Sequence, residues 1–379
     1  MKISILAFDF SDNATGRAEL LARLLAPRYD VAVIGPRFGA GVWEPVEASP
    51  IEHRVVPARH WPRFACALPE LLRLVDGDVI YASKPRPTSY GLGLLARARR
   101  ARPLVLDIDD WEVGFYWHAQ RSHRVGRALA LGDPNGLAAT WVMERRVSAA
   151  DAVTVASRFL ERRFGGLLIP HVRDTDAWDP TRYDRAAARA ALGVGDRRVV
   201  MFLGTPRAYK GVDDLVAAVA GLGEGVMLAI VGAELAAGEA RRWAAHPFVT
   251  VVGKIPFDEV PRYLSAADVV AVPQRETAAT AGQVPAKLFD AMALARPVVS
   301  TSVSMIPEIL DGCGLVVPPG DVPALAAALQ RLLRDPAEAA TLGRRARARA
   351  EAEYSFRAAR ARLFPLFDAL GAGGHRPAL

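Results

Sequence analysis

Cysteine is almost missing from this chain: two residues in 379, Cys66 and Cys313, far apart in sequence. Such a pair supports neither a disulfide framework nor a cysteine zinc site, and a reducing cytoplasm is the compartment expected. No apolar run approaches the roughly 20 residues that cross a bilayer. The opening MKISILAFDFSDN carries an acidic flank where a signal peptide would need a small-residue cleavage site, so it reads as a first β-strand. No G-x-G-x-x-G follows that strand, and no acidic partner is suitably placed, which argues against a dinucleotide-dependent oxidoreductase. Nucleic-acid recognition motifs are lacking too, so no nucleic-acid partner is expected. Lysine is the scarcest charged residue, 5 against 43 arginines. Three of the five, Lys210, Lys254 and Lys287, fall at loop–helix or strand–loop junctions of the second half.

Half the residues are apolar, and the length exceeds what one hydrophobic core usually supports, so two domains are expected. The net charge is +7; residues 1–170 hold 23 basic and 18 acidic groups, the remainder 25 and 23. The excess is compatible with an anionic acceptor or a membrane surface. The cluster Arg97–Arg102 reads either as a binding patch or as a solvated helix end, where the dipole favours cations.

Short apolar runs alternate with helical periodicity. Candidate strands are Ile3–Ala7, Val31–Ile34, Arg54–Pro57, Val79–Ala82, Leu104–Ile108, Ala152–Val155 and Leu167–Ile169. The second series is Val199–Leu203, Met227–Val231, Val249–Val252, Val269–Val272, Val298–Thr301 and Leu315–Val317. Strands so apolar, spaced by helices such as Gly16–Leu25, Arg63–Leu74 and Ser89–Arg100, predict parallel sheets covered on both faces. The fold class is α/β: two doubly wound, Rossmann-like domains facing an interdomain cleft. Residues 1–172 form the first domain and 185–355 the second, with the turn-rich segment PHVRDTDAWDPTRYD between them. The last helix, in 356–379, is expected to cross back to the first domain. Glu112–Pro134 reads as an irregular excursion carrying Phe115, Tyr116, Trp117, His118 and His123, either packed on the domain or serving as a lid.

Ligands of open α/β sheets bind beyond the carboxyl ends of strands. One such loop is LGTPRAYKGVDDL. Gly204 permits a tight exit from the strand, and Arg207 and Lys210 set two cations three residues apart before a helix. The dipole alone would disfavour cations there, so an anion site is the functional reading and a solvated turn the bland one. A second is GQVPAKLFDAMALARPVVST. A helix opening at Pro285 presents free N–H groups, with Lys287 in its first turn and Asp290 one turn on. One cation and one carboxylate suit a nucleoside diphosphate, Lys for phosphate and Asp for ribose hydroxyls. An ordinary amphipathic helix with two solvated charges is the alternative.

In order, GTPRAYKGVDDLVAA, AADVVAVPQ, PAKLFDAMALARPVVST, PEIL and GLVVPPGD resemble the C-terminal domain of retaining GT-B glycosyltransferases of family 4 (glycosyl transferases group 1). ADAVTVASRFLERRFG and IPHVRDTDAW, similar to the family's I-P-N-G-V-D linker, extend a weaker likeness into the first half. The resemblance covers most of 150–360 and is thin over 1–148. It implies a bacterial, cytoplasmic hexosyltransferase-type enzyme that uses a nucleotide-sugar donor, retains anomeric configuration and needs no cofactor or metal. Arg207 and Lys210 would neutralise the leaving diphosphate. Asp290 would hold the ribose, the N–H groups of Gln283 and Val284 would meet phosphate or sugar, and Lys254–Ile255 in the GKIP turn would contact the base. Gly204 and Gly16 would allow close approach of the donor.

The chain also departs from the family pattern. Gly282 stands where the first Glu of E-x7-E is expected; Glu276 is the nearest acid, at the wrong spacing. Asp109–Asp110 replaces the usual His-Asp, so Asp109 would orient a sugar or take a proton. Asp107 with Asp109 forms a D-x-D pattern, but Asp107 lies in a buried run, so no metal is expected there. Asp110, Trp111, Glu112 and Trp117 are expected to bind the acceptor.

The reading is a retaining glycosyltransferase with a UDP- or GDP-sugar donor and a glycan, lipid-linked or small-molecule acceptor. Arg124, Arg127, Arg145 and Arg146 would suit a lipid-linked acceptor at the inner membrane face, through peripheral contact of the basic first domain. A catalytically inactive nucleotide-sugar binder is the alternative, motivated by Gly282 and Asp109–Asp110; a GT-B epimerase is a further one.

Overall fold

The structure is a computed structural model that describes residues 1–47, 49–117 and 132–372, without the side chains of 115–117. The Trp117 ring, with His118, His123, Arg124 and Arg127, therefore lies outside the described residues. The chain divides into two compact units, Met1–Pro170 with Ala359–Leu379, and His171–Ala358.

The first unit holds seven parallel strands: β1 (Lys2–Leu6), β2 (Asp30–Arg37), β3 (Glu52–Pro57), β4 (Val79–Ser83), β5 (Leu104–Ile108), β6 (Ala152–Val155) and β7 (Leu167–Leu168). Their order is β3-β2-β1-β4-β5-β6-β7. Ile3 pairs with Val31 on one side and Val79 on the other. Chain order reverses beside β1, and the loops after β1 and β4 flank that switch point. The helix Thr15–Leu25 follows β1, and the C-terminal helix Phe356–Gly371 lays Phe367 against Tyr81. Asp368 of that helix accepts from the Tyr29 hydroxyl at 2.7 Å and pairs with Arg28 at 2.8 Å.

The second unit repeats the plan with β8 (Arg198–Leu203), β9 (Val226–Val231), β10 (Val249–Val252), β11 (Val269–Val272), β12 (Val298–Thr301) and β13 (Leu315–Val317), all parallel, ordered β10-β9-β8-β11-β12-β13. Its switch point lies beside β8. Val200, Phe202, Leu228, Ile230, Leu215, Leu329 and Leu332 form the core between sheet and helices. β8, β9 and β11 are apolar almost without break because both faces are covered.

Each of the thirteen expected strands is present, within a few residues at its ends. Helices differ more. Arg63–Leu74 is a 3-10 turn, Arg63–Cys66, then a helix, Leu68–Leu74, restarted at Pro69, which has no N–H to continue the earlier turn. Ser89–Arg100 begins as a π-turn at Pro87–Gly91. The stretch read as irregular opens with a helix, Glu112–Trp117, whose first-turn glutamate favours the helix N-terminus. Thr277 and Thr280 cap one another around a short helix, Ala278–Ala281, where only a loop was expected.

The first sheet encloses a charge pair. Arg17, 2% exposed, donates to both oxygens of the fully buried Asp107 at 2.9 and 2.8 Å. Its remaining donors reach the carbonyls of Ile169 and Pro170, and Thr154 donates to Asp107 at 2.7 Å. Removing one partner of so closed a pair strands the other charge. Arg17→Met is expected to destabilise the protein by about 3–5 kcal/mol, with much recovered in Arg17→Met/Asp107→Leu, as read by urea unfolding. An Arg17→Met protein as stable as wild type would contradict this.

Candidate active site

At the second switch point β8 is followed by Gly204, at φ +101°, and β9 by Gly232, at φ +99°; a Cβ on Gly232 would stand 3.0 Å from Gly204 backbone. The chain then turns through Thr205–Arg207 into a 3-10 turn, Ala208–Lys210, and passes Gly211 at φ +66° into the helix Val212–Ala220. Gly211 admits no side chain, because a Cβ would lie 1.9 Å from the Pro273 carbonyl oxygen. Arg275 ties this turn to the loop after β11: its N–H donates to the Tyr209 carbonyl, and its guanidinium pairs with Asp214. Lys210 Nζ donates to the Thr205 carbonyl at 2.7 Å. Burial, then the nearby Arg207, pushes its ammonium down to about 8. Arg207 itself is exposed.

Lys287 enters the same region from the helix Ala286–Ala293, for which Pro285 is the N-cap residue. Its stem is partly exposed, but its Nζ is buried, has no hydrogen-bond partner, and sits 3.7 Å from the Phe202 ring centroid. A Cβ on Gly204 would lie 3.5 Å from that Nζ, so the glycine places no side chain against the ammonium on that side. Burial and the neighbouring Lys210 push Lys287 well below an ordinary lysine, against the pull of Asp290. Gln274, 2% exposed in the loop after β11, likewise has a buried amide nitrogen without an acceptor. Two buried donors lacking acceptors at one sheet end are what a bound anion would satisfy.

The other expected donor residues fall into three situations. Asp290 is 5% exposed and already paired: Arg173 donates to it through Nε. The Arg173 guanidinium lies 5.6 Å from the ring centroids of both Trp178 and Phe257. Burial raises the Asp290 carboxyl, with Arg173 opposing. Gly282 and Val284 are buried, and the Gln283 N–H donates to the Thr280 carbonyl at 3.1 Å, being taken up by the C-terminus of the short helix. Lys254 is exposed and pairs at the surface with Glu234 at 3.3 Å; Ile255 beside it is partly buried.

In the first unit, Gly16 is the second residue of its helix, and the Trp43 ring would lie 2.9 Å from a Cβ there, so ring packing accounts for that glycine. Asp109, Asp110 and Glu112 converge beyond β5. Lys84, just past β4, places its ammonium 2.6, 2.9 and 2.9 Å from them. Arg86 pairs with the other oxygen of Glu112. Two cations thus face three carboxylates. Burial pushes Asp109 up to about 7 despite Lys84; burial would raise Glu112 too, but Arg86 and Lys84 hold it at about 2. Trp111 is partly buried beneath the Arg163 guanidinium, 4.3 Å from its ring. Asp107, suggested by the D-x-D pattern, is instead bound to Arg17.

Sequence reasoning missed Lys84, Arg17, Arg173 and Gln274. Lys84 had a visible signal: a rare lysine at the carboxyl end of a strand.

Two doubly wound parallel-sheet units, one with a cation-bearing glycine turn at its switch point, define an α/β protein of two Rossmann-like units. The glycosyl transferases group 1 profile matches residues 197–335, and the glycosyl transferase 4-like domain profile residues 14–175. A GDP-mannose-dependent alpha-(1-6)-phosphatidylinositol monomannoside mannosyltransferase of Mycolicibacterium smegmatis is 30% identical over 294 residues, 73% of this chain and 72% of that protein. A D-inositol 3-phosphate glycosyltransferase of Kineococcus radiotolerans is 30% identical over 275 residues, 61% of each chain. Sucrose-phosphate synthase of Thermosynechococcus elongatus superposes with a TM-score of 0.78 at 23% identity, covering 99% of this chain and 100% of that one. Anabaena HepE, solved with UDP-glucose, gives 0.74 at 21%, covering 97% and 100%. The chain belongs to the glycosyl transferases group 1 family: it is a glycosyltransferase of the GT-B fold.

Lys287 carries a stability cost that its replacement would reveal. Lys287→Met keeps the stem and removes the unpartnered ammonium, so the ligand-free protein is expected to gain about 1–3 kcal/mol in denaturant unfolding. A loss of stability would mean that the ammonium already has a satisfying partner.

Proposed function

We propose that this chain transfers a hexose, with retention, from a UDP- or GDP-sugar to a hydroxyl of an acceptor received by the first unit. The observation that carries the reading is the buried Lys287 ammonium without an acceptor, beside Lys210 and beneath the side-chain-free face of Gly204. A diphosphate supplies the missing anion. As the bond from the anomeric carbon to phosphate oxygen breaks, its electron pair passes to the diphosphate, and charge grows where Lys210 and Lys287 stand, with Arg207 reaching in from the surface. The acceptor oxygen forms the new bond from the leaving-group face, and its proton passes to a donor phosphate oxygen. These side-chain cations take the neutralising part, so no divalent ion is invoked. Asp290, shared with Arg173, is assigned to the ribose, and the Gly253–Pro256 turn to the base.

Asp109, Asp110, Glu112 and Trp111 are assigned to the acceptor. The mannosyltransferase relative names GDP-mannose and a phosphatidylinositol mannoside. By that analogy a GDP-hexose and a polyol or lipid-linked glycan are the first candidates to test here. Among the described residues no helix is long and apolar enough to cross a membrane. A membrane-borne acceptor would therefore be met by peripheral contact, for which Arg145 and Arg146 are both exposed.

The test is release of nucleoside diphosphate from a panel of UDP- and GDP-hexoses, with the anomeric configuration of the product read by NMR. Lys210→Ala and Arg207→Ala are each expected to lower kcat/KM by roughly tenfold or more. Near-wild-type turnover in both would remove the diphosphate assignment, and an inverted product would remove retention.

A further inference from the structure

Lys84 has no part in the reading above, yet both its backbone and its side chain are tied down. It has a left-handed backbone, φ +71°, which residues other than glycine and asparagine adopt at a cost of roughly 1 kcal/mol or more. Its N–H donates to the Asp107 carbonyl at 2.8 Å, and its own carbonyl accepts from the Ser89 hydroxyl and the Arg86 N–H, both at 2.8 Å. The backbone is thus fixed on both sides. The side chain is 3% exposed and ends among Asp109, Asp110 and Glu112. One oxygen from each of these carboxylates lies within 4.8 Å of the others, the spacing of a three-carboxylate cation site. The ammonium stands in its centre.

We propose that Lys84 is a resident substitute for a divalent cation, a positioning residue whose ammonium gathers the Asp109, Asp110 and Glu112 carboxylates into one set facing the acceptor. The assignment of that set to the acceptor rests on the function proposed above; the role of Lys84 as its internal cation does not. In a chain with 43 arginines the choice of lysine has a physical reason. An ammonium is a compact charge that can face several carboxylates at once, and here it donates to Asp110 at 2.9 Å while lying at ion-pair distance from Asp109 and Glu112; a guanidinium is a planar fork suited to two oxygens of one partner. Arg86 divides its guanidinium between one oxygen of Glu112 and the Asn135 carbonyl. The location agrees: Lys84 follows β4 and the carboxylates follow β5, both at the carboxyl end of the sheet, where an α/β unit presents its ligand groups. Without the ammonium, the two buried carboxylates and the partly exposed Asp110 would repel one another and separate, or recruit another cation.

The test is Lys84→Gly in the full chain, because glycine accepts the left-handed backbone and any loss then reports the missing charge. Thermal unfolding is followed in EDTA and in titrations with Mg²⁺, Mn²⁺ and Ca²⁺, beside wild type. The expected result is a lower melting temperature in EDTA, restored saturably by at least one of the cations, while wild type is unmoved. Lys84→Arg is the second variant, used in case the glycine protein does not fold. It keeps the charge and loses the three-way geometry, so it should raise the acceptor KM at least tenfold and leave the donor KM unchanged. A Lys84→Gly protein as stable as wild type, or insensitive to every cation, overturns the proposal; if that protein does not fold, a Lys84→Arg protein with wild-type acceptor KM overturns it instead. Cation binding by Lys84→Gly with an unchanged acceptor KM in Lys84→Arg would place the error in assigning the acceptor to these carboxylates. The donor reading would remain testable through Lys210.

Discussion

An ammonium buried without an anion organises the second unit. Lys287 gains the Phe202 ring and little else, and it shares its surroundings with Lys210, a like charge. Folding alone gives no reason to keep such a group, since a methionine would fill the same volume without the desolvation cost. The features around it are those needed to keep the place open. Gly204 withholds a side chain, Gly232 lets β9 pass close behind it, and Gly211 turns the chain where only glycine fits. Residues that break a local rule at a strand's carboxyl end mark function more often than error.

The first unit treats its buried charges in the opposite way. Arg17 and Asp107 neutralise one another through two hydrogen bonds, and the remaining arginine donors close on backbone carbonyls. Lys84 and Arg86 hold three carboxylates. One unit therefore holds a buried ammonium without a hydrogen-bond acceptor, and the other holds carboxylates already paired with internal cations. The division matches the chemistry of a transferase: a departing dianion needs fixed positive charge, and a neutral hydroxylic acceptor needs oriented hydrogen-bonding groups.

The strands were legible because a parallel sheet covered on both faces is written as short apolar runs, such as VVMFL and VMLAI, with turn residues between them. Lys287, Lys210 and Gly204 were legible for a related reason, since each sits within a few residues of a strand end or a helix start. Partners distant along the chain were not legible. Arg173 meets Asp290 117 residues on, and Arg17 meets Asp107 90 residues on. No local pattern distinguishes those arginines from the many on the surface. For the same reason Asp290 read as an open ribose ligand, although it carries a counter-ion. Gly16 read as a donor contact through the resemblance to the family's glycine-rich first loop; the Trp43 ring packed beside it becomes its neighbour only in the fold.

The most direct test is calorimetric titration of UDP and GDP at pH 8 in two buffers of different ionisation enthalpy. Lys210, at about 8 in the free protein, is incompletely charged at that pH, and burial displaces Lys287 downward as well. A bound diphosphate favours their protonated forms. Net proton uptake on binding is therefore predicted, with affinity falling as pH climbs past about 8, by at most about tenfold per unit for Lys210. Tight nucleotide binding with no proton uptake, and with an affinity indifferent to pH across that range, would contradict the assignment of these lysines to the donor.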